Sequence, residues 1–131
     1  MLAAGIYGLS NHLLDSPWPK VESGKCALRN ALNEQTKPDR LIDTLLAALS
    51  SRSLADDQTL PSTGISRDWE KALSAAFIVA PGYGTRASTV MLMDTEGEVH
   101  FRERSFGEGG ELIEDRRYRF GIVRNPVTTS S

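Results

Sequence analysis

The sequence predicts an α+β fold in which helices precede an antiparallel β meander. The clearest helical signal begins at Pro38 and places five apolar residues on one face: Leu41, Ile42, Leu45, Leu46 and Leu49. Near residue 76 the apolar period changes to two, which is typical of strands. With 131 residues, 40% hydrophobic and 24% charged, the chain has the length and composition of one folding unit.

Two further helices are predicted in the first 75 residues. One covers about Pro19 to Leu32, because a proline suits the start of a helix and apolar residues recur at helical spacing at Trp18, Val21, Leu28 and Leu32. The other is short and follows Ser66, which can cap it, with Trp69 and Leu73 turned inward. The residues between 50 and 65 favour a long loop.

Four strands are predicted, at residues 77–80, 87–94, 98–106 and 116–123. Thr95-Glu96-Gly97 suits a hairpin turn, with glycine where positive φ is needed. We expect a sheet of three or four strands. An opening strand at Gly5 to Leu9 is expected to join this sheet or to pair with a segment outside the sequence.

Charge and cysteine content exclude several classes of protein. The net charge of −2 gives no general attraction for nucleic acid or anionic lipid. No apolar run approaches the roughly 20 residues of a membrane helix, and the start does not resemble an export signal. One cysteine excludes an internal disulfide and fits a reducing, cytoplasmic location. We expect no metal site, because two histidines and Cys26 cannot form a classical zinc cluster.

Asn11 is the first candidate site residue. It follows the predicted opening strand, and an amide at a strand end can donate an N–H to a developing oxyanion. The alternative is that Asn11 only caps or turns the chain.

The segment from Pro81 to Arg86 is the second candidate. Gly82 and Gly84 permit a tight turn or a close backbone approach, and Arg86 then stands at the start of a strand. An arginine there could orient a carboxylate or polarise a carbonyl. A structural turn with a surface arginine is the alternative.

The remaining reactive residues favour ordinary roles. Cys26 lies within the first predicted helix, where a lone cysteine is most often a small buried residue. Five arginines alternate with apolar and acidic residues, as on a solvated sheet face: Arg102, Arg104, Arg116, Arg117 and Arg119. No Gly-x-Ser-x-Gly motif indicates a hydrolase triad. The residues alone therefore provide two polarising groups and no base and nucleophile pair.

Two long motifs resemble the C-terminal half of the NRDE family, the transport and Golgi organisation protein family. They are residues 5–18, GIYGLSNHLLDSPW, and residues 83–90, YGTRASTV, and residues 60–64, LPSTG, add a shorter match. Family members begin with Met-Cys followed by an Asn-Arg-Asp-Glu stretch, and neither occurs here. The chain resembles a family member without its N-terminal half, with a partial domain at residues 1–124 and a polar tail at 125–131.

The resemblance implies a fold and a chemistry. The family is similar to N-terminal-nucleophile hydrolases, so the fold would be the C-terminal half of an αββα sandwich. Asn11 would then stabilise an oxyanion and Arg86 would border the nucleophile during hydrolysis of an amide C–N bond. The nucleophile lies in the missing half, and Cys26 has no free α-amine. We therefore expect the chain alone to be inactive.

A binding function is the alternative that the resemblance leaves open. It implies a role in haem or lipid homeostasis, with His12, Cys26 and Tyr83 as conceivable axial ligands. Tyr83, Gly84, Thr85 and His12 are the predicted contacts of a small or lipid-like ligand. No cofactor is predicted, although haem is a possible ligand.

A half-domain also has a predicted consequence for its surface. Without its partner half, the chain should expose one apolar sheet face, with Met91, Met93 and Phe106. Unless the missing N-terminal half covers that face, the chain should be marginally stable or self-associate.

Overall fold

The computed structural model describes residues 1–10, 14–56, 58, 60 and 64–123. Its elements, in chain order, are α1 (Pro19–Glu34), α2 (Pro38–Leu49), α3 (Arg67–Ala72), β1 (Val79–Ala80), β2 (Tyr83–Gly84), β3 (Ala87–Met93), β4 (Glu98–Phe106) and β5 (Leu112–Gly121). Helices precede strands and every strand pair is antiparallel. The predicted α+β class with a β meander is confirmed. Within the described residues, no helix has both the length and the apolar character needed to cross a membrane.

The meander is a three-stranded sheet in the order β3-β4-β5. The turn between β3 and β4 contains Gly97 with a φ of 87°, as the Thr95-Glu96-Gly97 prediction required. Helix α2 covers one face of this sheet, where Ile42 and Leu46 pack with Val90 of β3 to form the buried core. The helix with the strongest apolar stripe is therefore the one that builds the core.

Helix starts agree with the prediction better than individual side-chain orientations. Ser66 caps α3, its Oγ accepting the Trp69 N–H at 3.3 Å. The inward orientation predicted for Trp69 is wrong: its side chain is exposed, and its ring lies edge-on to Tyr83. On α1, Ala31 is buried whereas Leu32 is exposed, because the buried side of the helix contains Val21 and Ala31.

The expectation that residues 5–9 join the sheet as a strand is wrong, since this segment has no strand pairing in the structure. The alternative, pairing with a segment outside the sequence, stays a prediction. Gly8 forms local hydrogen bonds in place of ladder bonds. Its N–H donates to Asp15 Oδ1 at 3.0 Å, and its carbonyl accepts the Asp15 N–H at 2.6 Å. These bonds fold the segment back onto the start of α1.

Two strands differ from the prediction by more than one residue. β5 begins at Leu112 rather than at 116, because the β4 pairing continues past a register shift at Ser105/Phe106. The predicted strand 77–80 is shorter than expected and forms a two-residue hairpin with β2, which the sequence had suggested only as a turn.

The face of the sheet opposite α2 carries an apolar surface. We call this surface, made of Met91, Met93, Val99, Phe101, Tyr118 and Phe120, the open face; the strand register places all six on the same side. The inclusion of Phe106 in this surface was wrong. Phe106 points to the α2 side, where its ring packs edge-on to Phe77 at a centroid distance of 4.7 Å.

Candidate functional site

The β1-β2 hairpin holds the segment that contains Tyr83, Gly84, Thr85 and Arg86. Val79 pairs with Gly84, and Ala80 with Tyr83, around Gly82 with a φ of 70°. A Cβ on Gly84 would lie 2.9 Å from the backbone oxygen of Ile78. Both glycines therefore have the structural use predicted for them: one supplies positive φ and the other permits a close backbone approach.

Arg86 is fixed at its backbone and open at its side chain. The preceding residue, Thr85, donates its N–H to the Ile78 carbonyl at 2.9 Å, and its Oγ1 accepts the Ile78 N–H at 2.9 Å. The Arg86 carbonyl accepts the Phe106 N–H at 2.9 Å. Arg86 itself is exposed, and no carboxylate of the described residues forms an ion pair with it. Its guanidinium is thus available for an anionic or carbonyl group.

Tyr83 and Trp69 form an exposed aromatic pair beside this segment. Their ring centroids are 6.3 Å apart at an interplanar angle of 83°, and both side chains are exposed. Two accessible aromatic rings suit an apolar or planar ligand.

The segment that leads to Asn11 is held against α1. A Cβ on Gly8 would lie 2.3 Å from Val21 Cγ1, so only glycine allows this contact. Asp15 adopts a φ of 60° and binds Lys25 Nζ at 2.7 Å. Lys25, together with the Gly8 N–H, lowers the pKa of the Asp15 carboxyl. This packing fixes the chain on both sides of residues 11–13.

Asn11 and His12 lie outside the described residues. The oxyanion role of Asn11 and the ligand role of His12 therefore stay predictions. Ser10, the residue before Asn11, has a buried Oγ for which the described residues provide no hydrogen-bond partner.

The prediction that Cys26 is a small buried residue is wrong. It is an exposed thiol on α1, because the helix turns Val21 and Ala31 inward instead. No group of three or more His, Cys, Asp or Glu residues within the described ranges could hold a metal ion.

An ion-pair network between α2 and the sheet was not anticipated. Arg102 was expected on a solvated face, yet only 13% of its side chain is exposed, and its Nη1 binds Asp43 of α2 at 2.7 Å. Beside it lies a cavity of about 210 Å³ lined by Asp39, Ile42, His100, Phe101, Arg102, Arg117, Tyr118 and Arg119. Carboxylates already pair with Arg102 and Arg119, so this cavity is a weak anion site.

Lys20 is a second residue that sequence reasoning missed. Its Nζ donates to the Leu73 carbonyl at 3.0 Å, and burial lowers the pKa of its ammonium. Its position in the first turn of α1 gave no signal, because lysine is common on helix surfaces.

The fold and the site define a class: an α+β protein with helix α2 on one face of a β meander and an arginine, on a backbone-fixed segment, that has no ion pair among the described residues. A model of the family described as Transport and Golgi organisation 2 matches residues 1–108. The chain belongs to this family.

Three relatives share substantial sequence with the chain. The Transport and Golgi organization protein 2 homolog of Bos taurus is 40% identical over 114 residues, covering 80% of this chain and 40% of that protein. The homolog of Homo sapiens is 37% identical over 132 residues, covering 93% of this chain and 46% of that protein. The Mus musculus homolog is 33% identical over 114 residues, covering 80% and 40%. The chain thus spans less than half the length of these curated relatives.

Proposed function

We propose that this chain is the part of an N-terminal-nucleophile amidohydrolase-like domain that lacks the nucleophile, and that Arg86 supplies electrostatic stabilisation to the reacting amide. In this role the domain would act on a C–N bond in the cytoplasm, within the transport and Golgi organisation function that its relatives' names describe. The chain is inactive until the remaining part of the domain supplies the nucleophile. Asn11 is the proposed second donor to the oxyanion.

The observation that carries this proposal is the contrast between the backbone and the side chain of Arg86. Three hydrogen bonds fix the residues around it, yet its guanidinium has no carboxylate partner among the described residues. The backbone bonds fix the point from which the Arg86 side chain extends, and an unneutralised guanidinium that reaches a reacting amide would stabilise the negative charge that develops there.

The test joins this chain to the N-terminal half of a family member that begins with Met-Cys. Hydrolysis of a panel of N-acyl p-nitroanilides is followed by absorbance. We expect activity in the joined protein, none in the chain alone, and a loss of about 100-fold in kcat for Arg86→Met. Arg86→Lys, which keeps the charge, should retain part of the activity. Hydrolysis that is unchanged in Arg86→Met, or no hydrolysis by the joined protein, would contradict the proposal.

A binding function is favoured by a different observation, the exposed pair of Trp69 and Tyr83. Haem offers both a planar ring for these aromatics and carboxylates for Arg86, and a lipid-like carboxylate offers the same two features. Gly84 and Thr85 shape the backbone of this surface. Here the chain would act as a ligand-binding module without catalysis.

Tryptophan fluorescence tests the binding function. The chain has two tryptophans, so Trp18→Phe leaves Trp69 as the reporter. We expect saturable quenching by haemin that weakens in Tyr83→Ala and in Arg86→Met, with Trp69→Phe as the control that removes the signal. Quenching that is linear in haemin and indifferent to Tyr83→Ala would show that this pair is not a binding site.

A further inference from the structure

We propose that the outer edge of β5 docks an extended peptide segment of a partner protein, with an acidic side chain of that segment opposite Arg117. The segment adds to the sheet as a fourth strand, and its acidic side chain enters the cavity beside Arg102. This edge is separate from the site of the proposed hydrolysis, since none of its residues belongs to the Arg86 segment.

The outer edge of β5 has backbone groups with no partner among the described residues. Ile122 donates its N–H to the Gly97 carbonyl at 2.8 Å, and residues that bond inward and outward alternate in an antiparallel pair. The residues that direct their N–H and C=O away from β4 are therefore Asp115, Arg117, Arg119 and Gly121. All ten residues of β5 are exposed and none is a proline, so this edge is a continuous row of donors and acceptors.

Arg117 is the residue of this row whose charge is not neutralised. Its side chain lines the cavity of about 210 Å³, and the residue directly opposite on β4 is a second arginine, Arg102. Carboxylates bind both Arg102 and Arg119. Asp39 of α2 also lines the cavity, yet no acid of the described residues forms an ion pair with Arg117. Like charges directly opposite each other destabilise a strand pair, so an acid on the free side of Arg117 would be favourable.

The free edge and the free charge belong to the same residue. Arg117 is in register with Arg102 and Val90, so its side chain is on the α2 side of the sheet, where the cavity lies. A residue that pairs with Arg117 on an added strand places its side chain on that same side. A glutamate or aspartate at this position therefore lies next to the Arg117 guanidinium.

The neighbouring positions define the rest of the segment. Tyr118 and Phe120 are each 51% exposed and point to the other side of the sheet, so apolar side chains suit the positions opposite them. The antiparallel direction is the more stable per residue. Read from its N-terminus, the segment is then apolar, any residue, apolar, acidic. Main-chain bonds to β5 supply affinity and the acidic side chain fixes the register.

Other occupants fit this edge less well. A free anion lacks the main-chain bonds, and the acids bound to Arg102 and Arg119 weaken its attraction to the cavity. A second copy of β5 would repeat an excess of positive charge, because the strand contains three arginines and two acids. The outer edge of β3 offers no comparable site, since none of its residues is charged.

The binding test titrates the full chain into the fluorescein-labelled peptide Lys-Thr-Val-Thr-Val-Glu-Val-Thr-Lys and follows the anisotropy. We expect saturable binding that weakens about threefold to fivefold when glutamine replaces the peptide glutamate, and by a similar factor in Arg117→Gln. Arg117→Glu should prefer the peptide with lysine in place of glutamate. Arg116→Gln is the matched control: it removes the same charge from the adjacent residue, whose side chain lies on the other face, and affinity should change less than about twofold.

N-methylated peptides test the strand pairing. With the glutamate opposite Arg117, the threonine amides face β5 and the valine amides face outward. N-methylation of the two threonines that flank the glutamate should abolish binding, whereas N-methylation of the two adjacent valines should leave most of it. Amide chemical shifts measured by NMR should change at Asp115, Arg117 and Arg119.

Several results overturn the proposal. They are the absence of saturable binding, equal affinity for the glutamate and glutamine peptides, an equal effect of the two N-methylation patterns, and shift changes on β3 in place of β5. The joined protein described above provides a further test, once circular dichroism shows that it is folded. Loss of peptide binding there would assign the β5 edge to the remainder of the domain and would also overturn the proposal.

Discussion

Arg102 binds Asp115 with two parallel hydrogen bonds across the β4-β5 pair, although the residue directly opposite Asp115 is Arg104. The Arg102 Nε to Asp115 Oδ1 distance is 3.0 Å and the Nη2 to Oδ2 distance is 2.9 Å. Arg104 Nε reaches the same carboxylate at 3.0 Å. Since Arg102 also binds Asp43 of α2, one guanidinium connects the helix to both strands.

This network predicts a pH dependence of stability. The arginines lower the pKa of the Asp115 carboxyl from 3.8 to about 2. Its contribution to the free energy of unfolding is therefore present above about pH 4 and is lost as the pH falls through about 2. With 29% of the side chain exposed, we expect about 1 kcal/mol rather than the full value of the pKa shift.

The variant Asp115→Asn measures the contribution of the Asp115 carboxylate to the free energy of unfolding. Urea unfolding at several pH values should show the variant less stable than the original chain at pH 6 and nearly equal to it near pH 2. A constant difference between the two proteins at all pH values would mean that the carboxylate charge is not the cause. Glu108→Gln, an exposed acid on the β4-β5 turn, serves as the control.

Gly8→Ala should destabilise the chain, because a Cβ would lie 2.3 Å from Val21 Cγ1. The expected loss is about 1 to 3 kcal/mol, typical of overpacking, measured by urea unfolding. The control is Gly24→Ala within α1, where a Cβ meets nothing within 4 Å. That change should stabilise by up to about 1 kcal/mol. In a Val21→Ala background, which removes the clashing methyl group, Gly8→Ala should cost less than it does in the original chain.

Gly84→Ala should weaken the hydrogen bonds between Ile78 and Thr85 at the base of the β1-β2 hairpin. A Cβ would lie 2.9 Å from a backbone oxygen, that of Ile78, which cannot rotate away as a side chain would. We expect faster amide hydrogen exchange at Ile78 and Thr85, whose mutual bonds depend on this approach. Unchanged exchange at these two amides would show that the hairpin accommodates the methyl group.

Arg86→Met should leave the free energy of unfolding within about 0.5 kcal/mol of the original value, because the side chain is exposed and has no ion pair in the described residues. Urea unfolding of the two proteins provides the comparison. A loss beyond 1 kcal/mol would indicate a structural role for the guanidinium and would weaken its assignment to a site. Asp43→Ala, which removes a partner of a mostly buried arginine, is expected to cost more.

Local patterns predicted most of the fold. Pro38, the leucine stripe of α2, the Ser66 cap and Gly97 each act within a few residues of their own position, so the sequence expresses them directly. Long-range contacts were not visible in the same way. The fold-back of residues 5–9 depends on Asp15, whose positive φ and bond to Gly8 cannot be inferred from hydrophobic periodicity.

In the candidate site, too, local features could be predicted from the sequence and long-range contacts could not. Gly82, Gly84 and Arg86 form a recognisable local motif in the sequence. In the structure, Gly82 has a positive φ, Gly84 lies close to the Ile78 backbone, and the Arg86 carbonyl accepts a hydrogen bond. The proximity of Trp69 to Tyr83, and of Arg102 to Asp43, arises from packing between elements that are distant in sequence. Periodicity assigns a side chain to a face but does not identify what lies opposite, which is why Trp69 and Arg102 were each assigned to the wrong environment.

β4 is the only strand of the described sheet with a neighbour on both sides. Its amides are consequently enclosed by β3 and β5, whereas each outer strand has one hydrogen-bonded side. Alternate amides of β4 donate to β3 and to β5, so separation of one outer strand during a brief native-state opening exposes only about half of the β4 amides, whereas an outer strand that detaches loses all its bonds to the sheet. The slowest deuterium uptake of the chain should therefore occur at the centre of β4, around Phe101.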